Sequence, residues 1–456
     1  MGVSCYGKKR TSEIFKIIKQ YLLSSELLEN CKLQQKDFTR NRSLTFTNLA
    51  VFIINFVKKS LQLELYSFAD FFNIPSVTKQ AFSKARKKLS PMVFTLLNQK
   101  LLEEFYTDNE FKTFKGFRLL AIDGSTLRLP IDDNLSDFYG TNSSDSNIPM
   151  ARISTMFDVL NHINLHGLIK DNKASERDMA AEHIKYLTQI SNPNQSFEDL
   201  LIFDRGYPSS GLLIMLKNAK KHFLIRVQKN FFSETNAAMK SGHCDSIVTI
   251  PISEKRIFPN TSLKEYLDNL PSNTELQIRF LVLDLPNNQK EYIITSLIDQ
   301  NKFSANDIFL LYGLRWNIEE SYKFYKNIVE IENFSGKSKL TTEQDFYATI
   351  FACNISALLM LEAQEEIEAE LEKSNEIHNE NKKEKTSKYK HKINRNILIG
   401  TIKNEIMDIL IGDKDLDKYC EKLKNRIKRN LIPIVPGRQF PRNFKHTRRK
   451  INRKAL

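Results

Sequence analysis

The sequence predicts a mixed α/β protein with an all-α N-terminal domain, and three observations carry that reading. Between positions 11 and 105 apolar residues recur every three or four places with almost no glycine, the period of helices. From Phe117 to Gln228 short apolar runs alternate with helical stretches, as in a sheet covered by helices. From Phe231 to Gln300 further short runs are separated by Pro- and Asn-rich turns, so β structure is inserted before helices resume.

In the helical part, Leu65–Phe72 is short and mostly apolar, Asn73-Ile74-Pro75 turns the chain, and Ser76 opens SVTKQAFSKARKKLSP, which stops before Pro91 as a helix does. The second helix of this helix–turn–helix carries Lys79, Lys84, Arg86, Lys87 and Lys88 and no acid, which suits a helix lying against DNA. It equally fits a solvated basic face packed through Val77, Ala81, Phe82 and Leu89.

The run GFRLLAIDGST reads as a strand ending in Asp123, where Gly124 lets the chain turn. Arg152–Leu160 and Ile163–Lys170 read as two strands joined at Asn161-His162, and Glu176–Gln189 as a helix. LLIFDRGYPSSG repeats the first theme: an apolar strand, an acid at Asp204, and a Gly turn into a helix reaching about Lys220; His222 opens another strand. If the first and fourth strands are neighbours, Asp123 and Asp204 lie a few ångströms apart at the carboxyl edge, where ligands of open α/β sheets collect. The inserted strands read as Ser246–Ile252, Leu276–Leu285 and Glu291–Leu297.

Ser304 and Asp307 give a capping-box-like start to the next helix. At about 100° per residue, Tyr312, Arg315, Glu319 and Lys326 fall within about 60° of one face of that helix, framing one carboxylate with a phenol and two cations. Leu314, Ile318, Tyr322, Tyr325 and Val329 form an apolar stripe beside them. Alone, this is also what an ordinary amphipathic helix with an Arg–Glu pair looks like. Trp316, the one tryptophan, reads as a packing aromatic. Asp345–Leu361 is a long apolar helix; Glu362–Lys392, with seven acids up to Glu376 and six lysines from Lys382, reads as a solvated helix end and linker; Ile393–Leu431 is helical again.

With 456 residues the chain has room for two or three domains. Its net charge is +14, and Lys422–Leu456 holds thirteen Lys or Arg and no acid, a block that meets phosphate or another anionic surface, or is simply a solvated tail. Five scattered cysteines, with no C-x-x-C pair, fit a reducing compartment and no structural metal. No apolar run approaches the roughly 18 residues of a membrane span, and no signal peptide opens the chain, so a cytoplasmic protein is expected. Two acids at strand ends and a third on a cation-flanked helix form a carboxylate set for hard divalent cations such as Mg²⁺.

These residues resemble the DDE transposases of bacterial insertion sequences, in particular the insertion-sequence-four family. Tyr312, Arg315, Glu319 and Lys326 match that family's Tyr-x(2)-Arg-x(3)-Glu-x(6)-Lys signature at every spacing; Asp204-Arg205-Gly206-Tyr207 matches its Asp-Arg-Gly-Tyr run and Asp123-Gly124-Ser125 its first-acid turn. The likeness spans about Ser76 to Glu370. It implies a ribonuclease-H-like mixed sheet with flanking helices at 111–230 and 301–365, a β-rich insertion at 231–300, a helical DNA-binding domain at 1–110, a linker at 366–392 and a helical C-terminal region with a basic tail at 393–456. It implies cut-and-paste transposition, with Asp123, Asp204 and Glu319 as catalytic ligands of two Mg²⁺ ions that Mn²⁺ can replace. Tyr312, Arg315 and Lys326 would hold the DNA end near the scissile phosphate, with Arg205 and the basic helix contributing further DNA contacts. The partners implied are double-stranded DNA, as terminal inverted repeats and target, and a second copy in a homodimeric synaptic complex in the bacterial cytoplasm at the nucleoid. A DNA-binding protein without chemistry, an inactive relic, and another ribonuclease-H-like nuclease are the rival readings.

Overall fold

Where the basic helix points decides which of its cations can meet DNA, so the N-terminal helices come first. The structure is a computed structural model that describes residues 10–40, 42–55, 60–142, 148–190, 195–252, 263, 266, 270–271, 274–284, 289–380 and 389–435. The chain opens with α1 (Arg10–Leu22), α2 (Ser25–Cys31), α3 (Phe46–Ile54), α4 (Leu61–Phe72), α5 (Lys79–Arg86) and α6 (Met92–Tyr106). The expected helix–turn–helix is α4 and α5. Asn73 takes a left-handed φ of 48°, and the Asn73 and Ile74 amides bond back to the Asp70 and Ala69 carbonyls. Thr78, not Ser76, caps α5 by accepting from the Ala81 amide, so the basic helix starts later than expected.

One cation of the basic helix that was expected to meet DNA is buried inside the protein. Arg86 is 2% exposed; its guanidinium donates to Asp345 and Gln344, each at 2.8 Å, and to Ser335 Oγ at 2.6 Å. Gln344 in turn donates to the Arg86 and Leu89 carbonyls. Arg86 therefore pins α5 to α13 (Lys339–Glu380), because a buried guanidinium needs a carboxylate and filled donors. Lys84 and Lys87 stay exposed, and Lys79 and Lys88 are half-buried.

The run from Phe117 becomes β1 (Phe117–Arg128), whose side chains enter two cores by turns: Leu120 and Ile122 one, Leu119 and Ala121 the other. A strand buried on both faces belongs inside a covered sheet. β1 pairs antiparallel with β2 (Met150–Asp158), which pairs antiparallel with β3 (Ile163–Asp171); on its other side β1 runs parallel to β4 (Glu198–Phe203), itself parallel to β5 (His222–Val227). That order, 3-2-1-4-5 with only β2 reversed, is the ribonuclease-H-like sheet. The insertion adds β6 (Asp245–Pro251), β7 (Glu275–Asp284) and β8 (Lys290–Thr295) antiparallel beyond β5, so it extends the same sheet to eight strands instead of standing apart. α8 (Glu176–Ile190) and α9 (Ser210–Asn218) cover one face. α7 (Asp133–Tyr139), α11 (Ala305–Gly313) and α12 (Trp316–Phe324) cover the other, and α10 (Ser233–Lys240) leads into β6.

The chain's two ends share one helical body. α13 does not stop near 361 but continues to Glu380, through positions read as a linker. Its acids explain why: Glu362 and Glu366 pair at 2.8 and 2.5 Å with buried Lys424 of α15 (Leu416–Lys428), and Lys428 pairs with Glu366 at 2.7 Å. α1 rests on α14 (Arg395–Ile411) and α15, with Lys16 paired to Asp417 at 2.8 Å, and the short β9 (His391–Ile393) and β10 (Leu431–Pro433) pair beside them. The first part of the basic tail is thus neutralised inside the fold, while 381–388 of the linker and 436–456 of the tail lie outside the described residues. α13 includes the long apolar helix expected at 345–361 and, against the expectation of no run near a membrane span, holds a stretch of mean hydropathy 1.5 that is long enough to cross a membrane, yet is 83% buried within the protein. Core packing against α3, α6 and β3 accounts for that composition.

If Arg86 is a structural cation, Asp345→Ala should destabilise the fold by about 3–5 kcal/mol, because it leaves a guanidinium buried without its carboxylate. Denaturant unfolding measures this; an unchanged midpoint together with weaker DNA binding would return Arg86 to the DNA-facing set.

Candidate active site

The two acids expected at strand ends are placed by strand register. β1 and β4 are parallel neighbours whose last pair is Ala121 opposite Ile202, so Asp123 and Asp204 each follow that pair by two residues. Neighbouring strands lie about 4.8 Å apart. Only Asp204 follows the end of its strand, before the exposed turn of Arg205 and Gly206; Asp123 lies inside β1, where Gly124, whose amide bonds the Asp123 Oδ1 at 2.9 Å, does not turn the chain as expected, because pairing with β2 carries the strand on to Arg128.

The third acid comes from the α11–α12 segment. Ser304 and Asp307 form the full capping box, each side chain bonded to the other's backbone amide. The expected single helix is, however, broken: the Leu314 amide is shared between Leu310 and Leu311, and the Arg315 amide turns back only three residues, to Tyr312 at 3.0 Å. After α12 the chain widens into a π-helical turn, Tyr325–Val329. The one-face reading therefore holds for Arg315 and Glu319, one turn apart in register, but not as a straight row through Tyr312 and Lys326. The apolar stripe is as expected, with Ile318, Tyr322, Tyr325 and Val329 buried on the sheet. Trp316 is 50% exposed, so the packing role expected of it is not what the fold gives it.

Arg315 lies at the meeting point of the acids. It is 4% exposed, donates to Glu319 at 2.7 Å and stands 3.9 Å from Asp123, with its plane near the Tyr312 and Trp316 rings. Tyr312, also 4% exposed, donates to Asp204 at 3.3 Å, and Lys326 donates to Ser125 Oγ at 2.8 Å. The three side chains expected to touch DNA are thus turned toward the acids and the stretch of β1 that follows Asp123. The reason is electrostatic: three carboxylates gathered at a half-buried sheet edge repel one another unless cations and hydroxyl donors stand between them. Burial pushes the Asp123 carboxyl up to about 6, opposed by the Gly124 amide and Arg315 and reinforced by Glu176 and Glu319.

Sequence reading missed several neighbours. Arg226 on β5 lies 3.8 Å from Asp204 and 3.4 Å from Glu291. Glu176 pairs with Arg152 at 2.5 Å and fills the space above Gly124, where an added Cβ would meet its carboxylate at 2.8 Å. Tyr207 is 1% exposed with its hydroxyl unbonded, as is Nε of Arg315. Only Tyr207 carried a sequence signal, as the last residue of its motif; Arg226 and Glu291 join through the pairing of β5 with β8, and Glu176 from the start of α8.

The donor set is carboxylate oxygen alone, which suits a hard cation such as Mg²⁺. Among the described residues no three acidic, His or Cys side chains form a ready-made cage. The fit rests instead on Asp123 and Glu319 both reaching one guanidinium, so the fold already gathers positive charge where the acids meet.

The family model described as Transposase DDE domain matches residues 115–355. Transposase InsG for insertion sequence element IS4, from Escherichia coli K12, is 22% identical over 303 residues, 65% of this chain and 64% of that protein. Putative transposase InsZ of the same organism is 24% identical over 182 residues, 38% of this chain and 57% of that one. The matches therefore span less than two thirds of either relative's length. A piggyBac transposase synaptic complex with hairpin DNA matches across 96% of this chain and 88% of its own at 11% identity, with a TM-score of only 0.40.

The raised Asp123 carboxyl has a consequence for stability. A carboxyl titrating near 6 when folded and near 3.8 when unfolded holds its proton more tightly in the folded state, so its contribution is most favourable below 3.8 and is lost as pH rises to about 6. Asp123→Asn should therefore raise the melting temperature in chelator at pH 7–8, and the gain should vanish near pH 4. Thermal melts at the two pH values check this, and an equal gain at both would show that burial of charge is not its source.

Proposed function

The chain belongs to the Transposase DDE domain family, and from that premise we propose that it binds the ends of an insertion sequence, cuts them and joins them to target DNA by a cut-and-paste mechanism. The observation that supports this most is the placement of Asp123 and Asp204 each two residues past the last pair of the parallel β1–β4 ladder, with Glu319 tied to Asp123 through Arg315. Asp123, Asp204 and Glu319 would hold two Mg²⁺ ions, with Mn²⁺ able to substitute. Bound there, such ions lower the pKa of a water and stabilise a leaving alkoxide in phosphodiester displacement. The chain's own side chains do the rest. Arg315 keeps Asp123 and Glu319 turned to one point, Tyr312 orients Asp204, and Lys326 stands at the mouth on Ser125 to meet a phosphate.

The DNA itself would lie along the N-terminal helices. A groove of about 1090 Å³ runs between α5 and the loop after α2, lined by Lys84, Lys87 and Lys88 on one side and Lys36, Arg40 and Arg42 on the other, with Asp37 its one acid. Lys79, at the start of α5, and the exposed Arg205, next to Asp204, would add contacts. A homodimer holding two element ends, at work on nucleoid DNA in the cytoplasm, completes this reading.

Asp123→Ala, Asp204→Ala and Glu319→Ala should each abolish cleavage of an end-sequence duplex in Mg²⁺ or Mn²⁺ while leaving gel-shift affinity unchanged or improved, since each removes negative charge near a polyanion. Glu320→Ala, which loses an exposed carboxylate paired only with Lys323, should cut normally. Cleavage that survives chelator, or a dead Glu320 variant beside an active Glu319 variant, would sink the reading.

Binding through the groove should be electrostatic. Replacing Arg40, Arg42, Lys84 and Lys87 together by alanine should flatten the slope of log K against log salt by about 3–4, at roughly 0.9 per phosphate contact. A salt titration with an unaltered slope would move the DNA elsewhere on the molecule.

A further inference from the structure

The Asp123 carbonyl receives hydrogen bonds from two hydroxyls that come from different directions. Tyr322 donates to it at 2.7 Å while accepting from Thr155 Oγ1 at 3.0 Å, and Ser154 Oγ donates to it at 3.0 Å. Tyr322 is three residues after Glu319 on α12, so its bond joins the helix carrying one acid to the strand carrying another. Behind Ser154 stands His183 of α8, wholly buried, with Nε2 3.0 Å from Ser154 Oγ and Nδ1 3.0 Å from Nδ1 of His166 on β3. His166 stacks on Tyr186, their centroids 4.1 Å apart.

The direction of every proton in this chain follows from its end. A carbonyl only accepts, so the Ser154 hydroxyl donates to Asp123 and must accept from His183, which places a proton on His183 Nε2. Burial holds both imidazoles neutral, lowering His166 to about 4 and His183 well below its usual value. His183 Nδ1 is then bare and accepts from the Nδ1 proton of His166.

We propose that Tyr322, and the Ser154–His183 pair with His166 behind it, are positioning residues for the cleavage reaction: by clamping the Asp123 main chain to α12 on one side and α8 on the other, they set the separation of Asp123 and Glu319. The proposal rests on the reading of those two acids as cation ligands. Its physical basis is that Asp123 and Glu319 lie on elements far apart in sequence, linked at their side chains through the Arg315 guanidinium, whose long stem tolerates movement. The hydroxyl clamp is short and buried, and so fixes the distance that the guanidinium leaves loose.

The test uses the full-length chain and Mn²⁺, whose binding is followed by quenching of the single Trp316, which adjoins Arg315 on α12. Tyr322→Phe and His183→Leu should each weaken Mn²⁺ binding and slow end cleavage by about 10–100-fold, as loss of a ligand-orienting partner does, with end affinity in gel shift unchanged. His183→Gln, whose amide can still donate to Ser154, should stay near wild type. Unfolding curves accompany each variant; should His183→Leu fail to fold, Ser154→Ala removes the same hydrogen bond with a single atom. Wild-type Mn²⁺ binding and cleavage in folded Tyr322→Phe and Ser154→Ala would overturn the clamp, and a His183→Gln variant as impaired as His183→Leu would overturn the donor relay. If Asp123→Ala and Glu319→Ala themselves retain Mn²⁺ binding and cleavage, it is the underlying reading of the acids that falls.

Discussion

The geometry of the candidate site depends on one buried guanidinium. Arg315 is almost wholly buried, yet it reaches Glu319 on its own helix and approaches Asp123 on the central strand. Without it, two carboxylates would face each other at a half-buried edge where desolvation already raises Asp123. With it, the cost of gathering acids is offset locally, and α12 is drawn onto the sheet from which the acids project. The break between α11 and α12 makes that reach possible, because the three-residue turn at Arg315 lets the helix leave its first axis. The π-turn after Phe324 does the same for Lys326, carrying it to Ser125.

The same logic of buried charge organises the rest of the molecule. Arg86 with Asp345 fastens the N-terminal helices to α13, and Lys424 with Glu362 and Glu366 fastens the C-terminal helices to it. Arg118 and Lys221 share Asp199 near the start of the parallel strands, holding that carboxylate below its usual range against its burial. Each pair joins segments distant in sequence, and each leaves nearby exposed cations, such as Lys84 and Lys87, as the ones free to face an anionic partner. A chain with this much positive charge therefore divides it between internal fastenings and an outer basic groove.

What the sequence determined by itself is whatever depends on neighbours along the chain. The apolar runs GFRLLAID and LLIFD marked the strands that bring in Asp123 and Asp204, though not that the first runs on to Arg128; Ser304 and Asp307 marked a capped helix start, and Tyr312 to Lys326 the motif spacing by which the family could be named. The inserted strands, too, lie within a few residues of where turn chemistry put them. Only the tertiary structure decided which charges are inside. Arg86 and Lys87 are adjacent, equally basic and equally consistent with a DNA-facing helix, yet one is buried against Asp345 and the other is exposed; the carboxylate that makes the difference lies more than 250 residues away. Glu362–Glu380 reads as a solvated end because its acids have no local partners, while in the fold Lys424 and Lys428 supply them. The hydroxyl clamp on Asp123 was invisible for the same reason. Helical and strand periods are short-range properties, whereas burial and the pairing of charges are set by whichever surfaces the folded chain brings together.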